Sequence, residues 1–227
     1  MWGCGAPEGR AVIVDGMGTA GKAALRQQLL AARRAVADDV RADEARALSE
    51  HLIGLNSDLS SSSTVCAYVP VGAEPGSIDM LEVLLRRTGR VLLPVARTAG
   101  DDTPLPLQWG EYRPGRLVAG RFGLLEPAEP WLPAAALADA TLVLVPALAV
   151  DRAGVRLGRG GGYYDRSLPH RDPQARVVAV IRDDELRDEL PCEPHDVRMT
   201  HALTPQGGFL ALDTRRESCS PDSGSST

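Results

Sequence analysis

The stretch Leu142–Leu168, LVLVPALAVDRAGVRLGRGGGYYDRSL, is the part of the chain that says most about its fold. It opens with a run of four apolar residues, which predicts a buried strand over Leu142–Val145. Pro146 marks the end of that strand, because proline has no N–H to donate to a β-ladder. Four glycines then fall within the five residues Gly158–Gly162. Glycine lets a backbone approach a ligand closely and point successive N–H groups at it, so the strand is predicted to lead into a binding loop.

The charged residues beside these glycines indicate a site for nucleotide phosphates. Arg156 and Arg159 carry planar guanidinium groups that suit phosphate oxygens, and Asp165 offers a hard oxygen ligand for Mg²⁺. A flexible glycine linker beside ordinary surface charges would also account for the glycines. It accounts poorly for Tyr163 and Tyr164, which follow the glycines directly and precede the aspartate.

Apolar runs and amphipathic stretches alternate along the chain, which predicts strands that alternate with helices. The predicted strands are Val65–Val69, Val91–Val95, Leu105–Trp109, Leu142–Val145 and Val177–Ile181. The predicted helices are Ala20–Ala35, Asp38–Leu55, Ile78–Arg87 and Asp184–Leu190. This order is typical of an α/β protein whose mostly parallel sheet is covered on both faces. We therefore expect a three-layer α/β/α fold in a single compact domain.

The two ends of the chain differ in composition from the middle. Residues 214–227, TRRESCSPDSGSST, are polar and rich in serine. We expect this tail to be disordered, because it has little apolar surface to offset the entropy of ordering. Residues 1–16 precede the first clear amphipathic helix and form a leader that is either disordered or an artefact of start-site choice. The predicted α/β domain thus covers residues 17–213.

Composition and charge exclude several classes of protein. Hydrophobic residues make up 44% of the chain and charged residues 24%, the balance of a soluble globular protein. The net charge of −5 repels nucleic acid and anionic membrane surfaces. The sequence has no apolar run long enough to span a membrane, and neither an H-E-x-x-H nor a G-x-S-x-G motif. We expect a cytoplasmic monomer that acts on a small molecule and binds neither nucleic acid nor membrane.

Lys22 is the single lysine among 25 basic residues. Because arginine serves elsewhere, Lys22 is a candidate for a role that needs a compact ammonium group. Lys22 and Arg26 are four residues apart on the first predicted helix, so they share a face, either over a cleft or in solvent. The stretch Gly16–Ala23, GMGTAGKA, nearly matches the P-loop motif, but Ala23 lacks the hydroxyl that binds Mg²⁺. A P-loop NTPase is kept as an alternative.

Four segments together resemble the 5-formyltetrahydrofolate cyclo-ligase family. Lys22–Arg26, KAALR, resembles its K-x-x-L-R segment, and the loop Arg156–Asp165 resembles its R-L-G-x-G-x-G-Y-Y-D signature. Tyr68–Pro75, YVPVGAEP, is similar to a family strand with the acidic residue that follows it. Leu190–Thr200, LPCEPHDVRMT, is similar to the family's L-P…H-D segment. The resemblance covers residues 20 to about 207 and departs from the family at Gly161, where many relatives carry a larger residue.

The resemblance implies a set of residues for each ligand. The implied ATP-binding residues are Lys22, Arg26, Arg156, Leu157, Gly158, Arg159, Gly160, Gly161, Gly162, Tyr163 and Tyr164. The implied folate-binding residues are Val69, Glu74, Trp109, Arg159, Gly160, Gly161, Gly162 and Tyr163. The implied catalytic residues are Lys22, Arg159 and Tyr164, and the implied Mg²⁺ ligands are Asp165 and Asp196.

The reaction that the resemblance implies is the ATP-dependent cyclisation of 5-formyltetrahydrofolate to 5,10-methenyltetrahydrofolate, with release of ADP and phosphate. The formyl oxygen is a poor leaving group. Transfer of the γ-phosphoryl group of ATP onto it would make the formyl carbon electrophilic enough for N10 to close the ring. Such chemistry asks the protein mainly for positioning and charge stabilisation. A folate- or nucleotide-binding protein without catalytic activity is kept as a second alternative.

Overall fold

The computed structural model describes residues 19–55, 59–193 and 196–215, and a mostly parallel β-sheet lies at its centre. The helices are α1 (Thr19–Ala35), α2 (Asp38–Ile53), α3 (Ile78–Thr88) and α4 (Tyr163–Ser167). The strands are β1 (Thr64–Cys66), β2 (Arg90–Val95), β3 (Gln108–Glu111), β4 (Leu117–Ala119), β5 (Leu125–Pro127), β6 (Ala140–Pro146), β7 (Ala149–Asp151), β8 (Arg156–Leu157), β9 (Arg176–Val180), β10 (Leu186–Arg187), β11 (His201–Thr204) and β12 (Gly208–Ala211). Short 3₁₀ helices span Arg121–Gly123, Ala134–Asp139, Leu168–His170 and Asp183–Glu185.

Within these described ranges, seven strands form the central sheet in the spatial order β12-β11-β9-β6-β1-β2-β3. The five inner strands pair in parallel, whereas β12 and β3 pair antiparallel at the two edges. Parallel neighbours need a crossover connection, and α3 supplies the one between β1 and β2. Outside this sheet, β7, β8 and β10 form a small second sheet, and β4 and β5 form a separate hairpin. The mostly parallel sheet predicted from the sequence is confirmed.

Side chains of successive strand residues enter two apolar cores, one on each face of the sheet. Val65 of β1 packs in the first core with Leu48 of α2 and Leu84 of α3. Cys66 points to the opposite face and packs in the second core with Leu137 and Leu168, which lie on 3₁₀ helices. Helical layers therefore cover both faces, as predicted, but the second layer consists of short turns.

The ends of α3 follow from its sequence. The Ser77 hydroxyl accepts a hydrogen bond from the backbone N–H of Asp79 (3.2 Å), which satisfies a donor that the first turn leaves unpaired. At the other end, Gly89 has a φ of 71°, the left-handed conformation that commonly terminates helices. The helix therefore runs from Ile78 to Thr88, one residue longer than the prediction.

A buried ion pair attaches α1 to the rest of the molecule. Leu29 of α1 packs with Leu157 of β8, and Arg33 lies one turn further along the helix. The Arg33 guanidinium donates to the Glu185 carboxylate (Nε to Oε1, 2.6 Å) and to the carbonyl oxygen of Ala147 (2.5 Å). Arg33 is 2% exposed and Glu185 3%. Charges at this depth are tolerated because they are paired and hydrogen-bonded.

The prediction of a helix over Asp184–Leu190 is wrong. The segment forms a 3₁₀ turn and then β10, which pairs with β7. Two tertiary contacts override the helical pattern. Glu185 is held by Arg33, and the N–H of Leu190 donates to the buried carboxylate of Asp151 (3.0 Å), where a helix would use its own carbonyl.

The strand predicted over Leu105–Trp109 overlaps β3 only at its last two residues. Pro104 and Pro106 flank Leu105 and have no N–H to donate, so a regular ladder starts after them. The strands β11 and β12, which pair as a hairpin at one edge of the sheet, were not predicted. Each has only four residues, too few for a clear pattern of alternating apolar and polar side chains.

No helix in the described ranges is long and apolar enough to cross a membrane. The proposed leader, residues 16–18 of the P-loop-like stretch and residues 216–227 of the tail lie outside the described residues. The domain limits drawn from the sequence therefore stay predictions.

We expect Arg33→Ala to lower the free energy of unfolding by about 3–5 kcal/mol, because it leaves the Glu185 carboxylate buried without its partner. The neighbouring Arg34 is exposed on the same helix, so Arg34→Ala should change stability by about 0.5 kcal/mol or less. Urea unfolding of both variants measures the difference. Equal losses would contradict a structural role for the buried pair.

Candidate functional site

A cavity of about 220 Å³ opens at the edge of the sheet where β1, β2 and β6 end. This is the edge at which open parallel sheets commonly bind ligands. The cavity is lined by Tyr68, Val69, Val71, Glu74, Pro94, Ala96, Leu107, Leu124, Leu125, Pro146, Arg156, Gly158, Arg159, Gly160, Gly162, Tyr163, Tyr164 and Asp165. Ten of these residues are sequence-predicted site residues, which the fold brings together from two distant parts of the chain.

The lining divides into an apolar side and a charged side. Pro94, Ala96 and Leu107 belong to β2 and the segment before β3, and they present hydrocarbon surface. The glycine loop Gly158–Gly162 and the residues next to it supply the arginines, tyrosines and aspartate. A ligand with one flat apolar part and one anionic part would match both sides.

The glycine loop depends on conformations that side-chain-bearing residues avoid. Gly160 and Gly162 have φ values of 97° and 69°. The Arg26 guanidinium of α1 donates from Nε to the carbonyl oxygen of Gly158 (3.0 Å), so the first helix holds the loop in place. Arg26, which the resemblance implies as an ATP-binding residue, thus contacts the loop directly.

Arg156 contacts two residues at the end of the loop, Asp165 and Tyr164. Its Nη2 donates to Oδ1 of Asp165 (2.7 Å), and its guanidinium carbon lies 5.6 Å from the ring centre of Tyr164. Burial raises the pKa of the Tyr164 hydroxyl well above its ordinary value, and the nearby Glu74 carboxylate adds to the rise while Arg156 opposes it. Tyr164 therefore keeps its proton and can donate a hydrogen bond into the cavity.

Glu74 and Arg159 form an ion pair across the cavity wall. Nε of Arg159 lies 3.1 Å from Oε1 of Glu74, and the other carboxylate oxygen accepts from the N–H of Val71 (3.0 Å). Burial raises the pKa of Glu74, and the Arg159 guanidinium opposes that rise. Tyr68 donates its hydroxyl to the carbonyl oxygen of Pro75 (2.9 Å), which holds the loop that carries Glu74.

Lys22 does not line the cavity. Its Nζ lies 3.3 Å from Oε1 of Glu193 and 3.4 Å from Oδ2 of Asp196, and its side chain is 11% exposed. It precedes Arg26 by one helical turn, so it lies next to the residue that binds the glycine loop. Asp196 also accepts from the N–H of Glu193 (2.8 Å).

Five other predicted residues are absent from the lining of this cavity in the described structure: Arg26, Leu157, Gly161, Trp109 and Asp196. Leu157 is packed beneath α1, and Gly161 lies on the loop with the Tyr163 ring beside its Cα. Trp109 is 1% exposed and belongs to the second apolar core. The prediction that its indole faces a pterin therefore has no support from its position.

Sequence reasoning missed much of the apolar side, above all Leu124 and Leu125 on the β4–β5 hairpin. No motif surrounds them. Leu125 is 46% exposed, and this exposure indicates a ligand contact only when the position of the hairpin beside the cavity is known.

The donor set for a divalent cation is small. Among the described residues, no group of three or more His, Cys, Asp or Glu side chains lies together as a metal site. Asp165 reaches the cavity, whereas Asp196 is engaged by Lys22. A Mg²⁺ ion that takes most of its oxygen ligands from phosphates and water would fit beside Asp165, because one carboxylate then suffices.

Comparisons with known proteins show which family this chain resembles. A family model described as the 5-formyltetrahydrofolate cyclo-ligase family matches residues 18–205. The chain is 60% identical over 191 residues to 5-formyltetrahydrofolate cyclo-ligase of Mycolicibacterium smegmatis, a match that covers 84% of this chain and 97% of that protein. It is 31% identical over 144 residues to the Escherichia coli K12 protein of the same name, covering 63% and 78% respectively.

Solved structures show the same fold. The NMR structure of Aquifex aeolicus 5,10-methenyltetrahydrofolate synthetase superposes with a TM-score of 0.67 at 24% sequence identity, covering 89% of this chain and 98% of that one. A 5,10-methenyltetrahydrofolate synthetase from Mycoplasma pneumoniae gives a TM-score of 0.61 at 20% identity, covering 78% and 94%.

We expect Gly160→Ala to weaken ATP binding about tenfold or more, because alanine strains the positive φ that the loop requires. Gly161→Ala is the matched control, since Gly161 has no positive φ and only the Tyr163 ring must move slightly. It should change affinity by about threefold or less. Titration calorimetry with ATP compares the two variants, and equal affinities would contradict the loop's role.

Proposed function

The chain belongs to the 5-formyltetrahydrofolate cyclo-ligase family, and we propose that the cavity beside the glycine loop is where it closes the ring of 5-formyltetrahydrofolate. The reaction consumes ATP and yields 5,10-methenyltetrahydrofolate, ADP and phosphate. The observation that carries the assignment to this cavity is its two-sided lining. One side consists of apolar side chains, and the other consists of arginines and the glycine loop. The rings of folate have faces that can pack against hydrocarbon, and the phosphates of ATP are anionic.

In the proposed mechanism the γ-phosphoryl group of ATP is transferred to the formyl oxygen, and the bond from that phosphorus to ADP breaks. N10 then attacks the formyl carbon, and the carbon–oxygen bond breaks as phosphate leaves with the formyl oxygen. N10 loses its proton, which the departing phosphate takes up, and the methenyl product carries one positive charge. The cavity contributes by holding the two substrates in line and by stabilising the charge that moves between them.

We assign the phosphates of ATP to the charged side of the cavity. Arg156 and Arg159 offer guanidinium forks, and the N–H groups of the glycine loop offer further donors. Lys22, one turn from Arg26, is assigned to the transferring phosphoryl group, for which it would exchange its ion pairs with Glu193 and Asp196.

We assign folate to the apolar side of the cavity and to Glu74, whose carboxylate pairs with Arg159. The Glu74 carboxylate is suited to accept paired N–H donors of the pterin's amino-pyrimidine edge, and Val69 lies beside it in the lining. Tyr163 and the loop at Arg159 line the cavity between the two substrates. Tyr164 lines the cavity and keeps its proton, so we assign its hydroxyl to donate to a developing negative charge.

We propose that Asp165 would hold a Mg²⁺ ion that accompanies ATP, with the other ligands supplied by phosphates and water. When bound, it neutralises charge on the phosphoryl group that is being transferred. Asp165 donates no proton in this account. The hydrogen bond from Arg156 to Asp165 holds the Asp165 carboxylate in one orientation.

The proposal also covers the oligomeric state and the location of the enzyme. We propose that the protein acts as a monomer. The cytoplasm is proposed as its location, because ATP is available there. A P-loop NTPase or a non-catalytic binder is not favoured, since the family match spans residues 18–205 and includes the loop signature.

The first test is the appearance of the methenyl product, followed by its near-ultraviolet absorbance, when the protein is mixed with 5-formyltetrahydrofolate and MgATP. Product formation should require both ATP and Mg²⁺. Lys22→Ala should lower kcat/KM by about 100-fold, because it removes a donor to the transferring group. Arg34→Ala, on the exposed face of the same helix, should retain full activity. Folded wild-type protein that gives no product would contradict the proposed function.

A second prediction concerns pH. Because burial raises the pKa of Glu74, its carboxylate takes up a proton at a higher pH than an ordinary glutamate. Folate affinity should therefore fall as pH decreases through this raised pKa, since the neutral acid accepts paired donors less well. Glu74→Gln should bind folate weakly at every pH and lack this dependence. Glu82→Gln, on the exposed side of α3, should keep it. A pH profile unchanged in Glu74→Gln would rule out this role for Glu74.

A further inference from the structure

The β4–β5 hairpin stands apart from the central sheet and forms one wall of the cavity. Leu124 lies just before β5 and Leu125 begins it, and both line the cavity. Leu125 nevertheless remains 46% exposed. A large apolar side chain that borders a cavity and stays half-exposed offers contact area that a bound ligand would cover.

A buried carboxylate fixes this hairpin to the end of β2. Glu126, next to Leu125, is 3% exposed and accepts from the N–H of Ala96 (3.1 Å) and from Nη1 of Arg97 (3.0 Å). A side chain at Gly120, on the facing part of the hairpin, would come within 2.4 Å of the Glu126 carboxyl carbon. The Glu126 side chain can pack against the facing part of the hairpin only because residue 120 is glycine.

A second set of contacts continues from Arg97. Its guanidinium carbon lies 4.2 Å from the ring centre of Trp131, and Nε1 of Trp131 donates to the carbonyl oxygen of Pro127 at the end of β5 (3.0 Å). Arg121, in the turn of the hairpin, donates to the Thr98 hydroxyl (2.7 Å). Both ends of the hairpin wall are thus attached to the chain that follows β2, and the two leucines are held at the cavity.

The chemistry of the two cavity sides decides which substrate this wall contacts. Phosphates need the arginines and amides of the glycine loop, which the hairpin does not supply. Leucine side chains offer nothing to a phosphate but pack well against an aromatic ring. Resting on the proposed function, we infer that Leu124 and Leu125 form the surface on which an aromatic ring of the folate packs. Leu125 is then a residue that determines affinity for folate and leaves ATP affinity unchanged.

The hairpin offers a matched control for this inference. Val118 of β4 stands opposite Glu126, is exposed to nearly the same extent as Leu125 (45% against 46%) and does not line the cavity. Leu125→Ser and Val118→Ser therefore make similar surface changes on the same hairpin, one beside the ligand and one away from it.

Titration calorimetry would measure the Kd of 5-formyltetrahydrofolate and, separately, of MgATP for wild type and both variants. We expect Leu125→Ser to raise the Kd for folate about five- to tenfold, because it removes apolar area that the ring covers. Its Kd for MgATP should stay within about twofold of wild type, and Val118→Ser should match wild type for both ligands. Turnover of the three proteins is recorded alongside.

The outcomes separate this inference from the proposed function. Wild type that binds folate with the expected loss in Leu125→Ser but makes no methenyl product would overturn the proposed reaction and retain the hairpin's role. An unchanged folate Kd in Leu125→Ser, or an equal loss in Val118→Ser, would overturn the inference while turnover upholds the reaction. A parallel loss of ATP affinity would also overturn it, because the hairpin would then act on the whole site.

Discussion

Parallel pairing of β1, β2 and β6 is the constraint on which the site depends, because it brings the carboxyl ends of these strands to one edge of the sheet. Each strand contributes to the cavity as its chain leaves the sheet: Glu74 after β1, Ala96 after β2 and Pro146 at the end of β6. Because β3 pairs antiparallel with β2, its beginning, preceded by Leu107, reaches the same edge. The sheet supplies the apolar side of the cavity, and the charged side comes from a separate unit.

That unit is the glycine loop, which one buried carboxylate fixes at its base. Asp151 is fully buried and accepts from the N–H groups of Ala153 and Val155 and of Leu190 (2.9, 2.9 and 3.0 Å). It thereby shapes the β7–β8 turn, which leads directly into the loop, and joins it to a segment far along the chain. The loop can be rich in glycine yet well placed, because its rigidity comes from contacts outside the loop. The same arrangement fixes the hairpin wall, where Glu126 plays the corresponding part.

Features built from neighbouring residues could be predicted from the sequence, whereas features built from distant segments could not. The loop around Gly160 could be predicted because its glycines, arginines and aspartate are neighbours, and α1 because its apolar stripe is regular. Leu125 could not be predicted, since its place at the cavity depends on the distant contact between Glu126 and Ala96. Trp109 shows the converse: the family resemblance implied a folate contact, but the strand directs the indole into the core. The predicted helix around Leu186 failed for the same reason, because tertiary contacts of Glu185 outweighed the local pattern.

The central claim is that one cavity places the γ-phosphoryl group of ATP against the formyl oxygen of the folate. Its most direct test is to run the reaction with 5-formyltetrahydrofolate carrying ¹⁸O in the formyl group and to analyse the phosphate released, by mass spectrometry or ³¹P NMR. We expect each phosphate formed with methenyl product to carry one ¹⁸O atom, because the formyl oxygen leaves on phosphorus. Unlabelled phosphate, with the ¹⁸O recovered in water, would contradict it and show that ATP hydrolysis and ring closure occur as separate events.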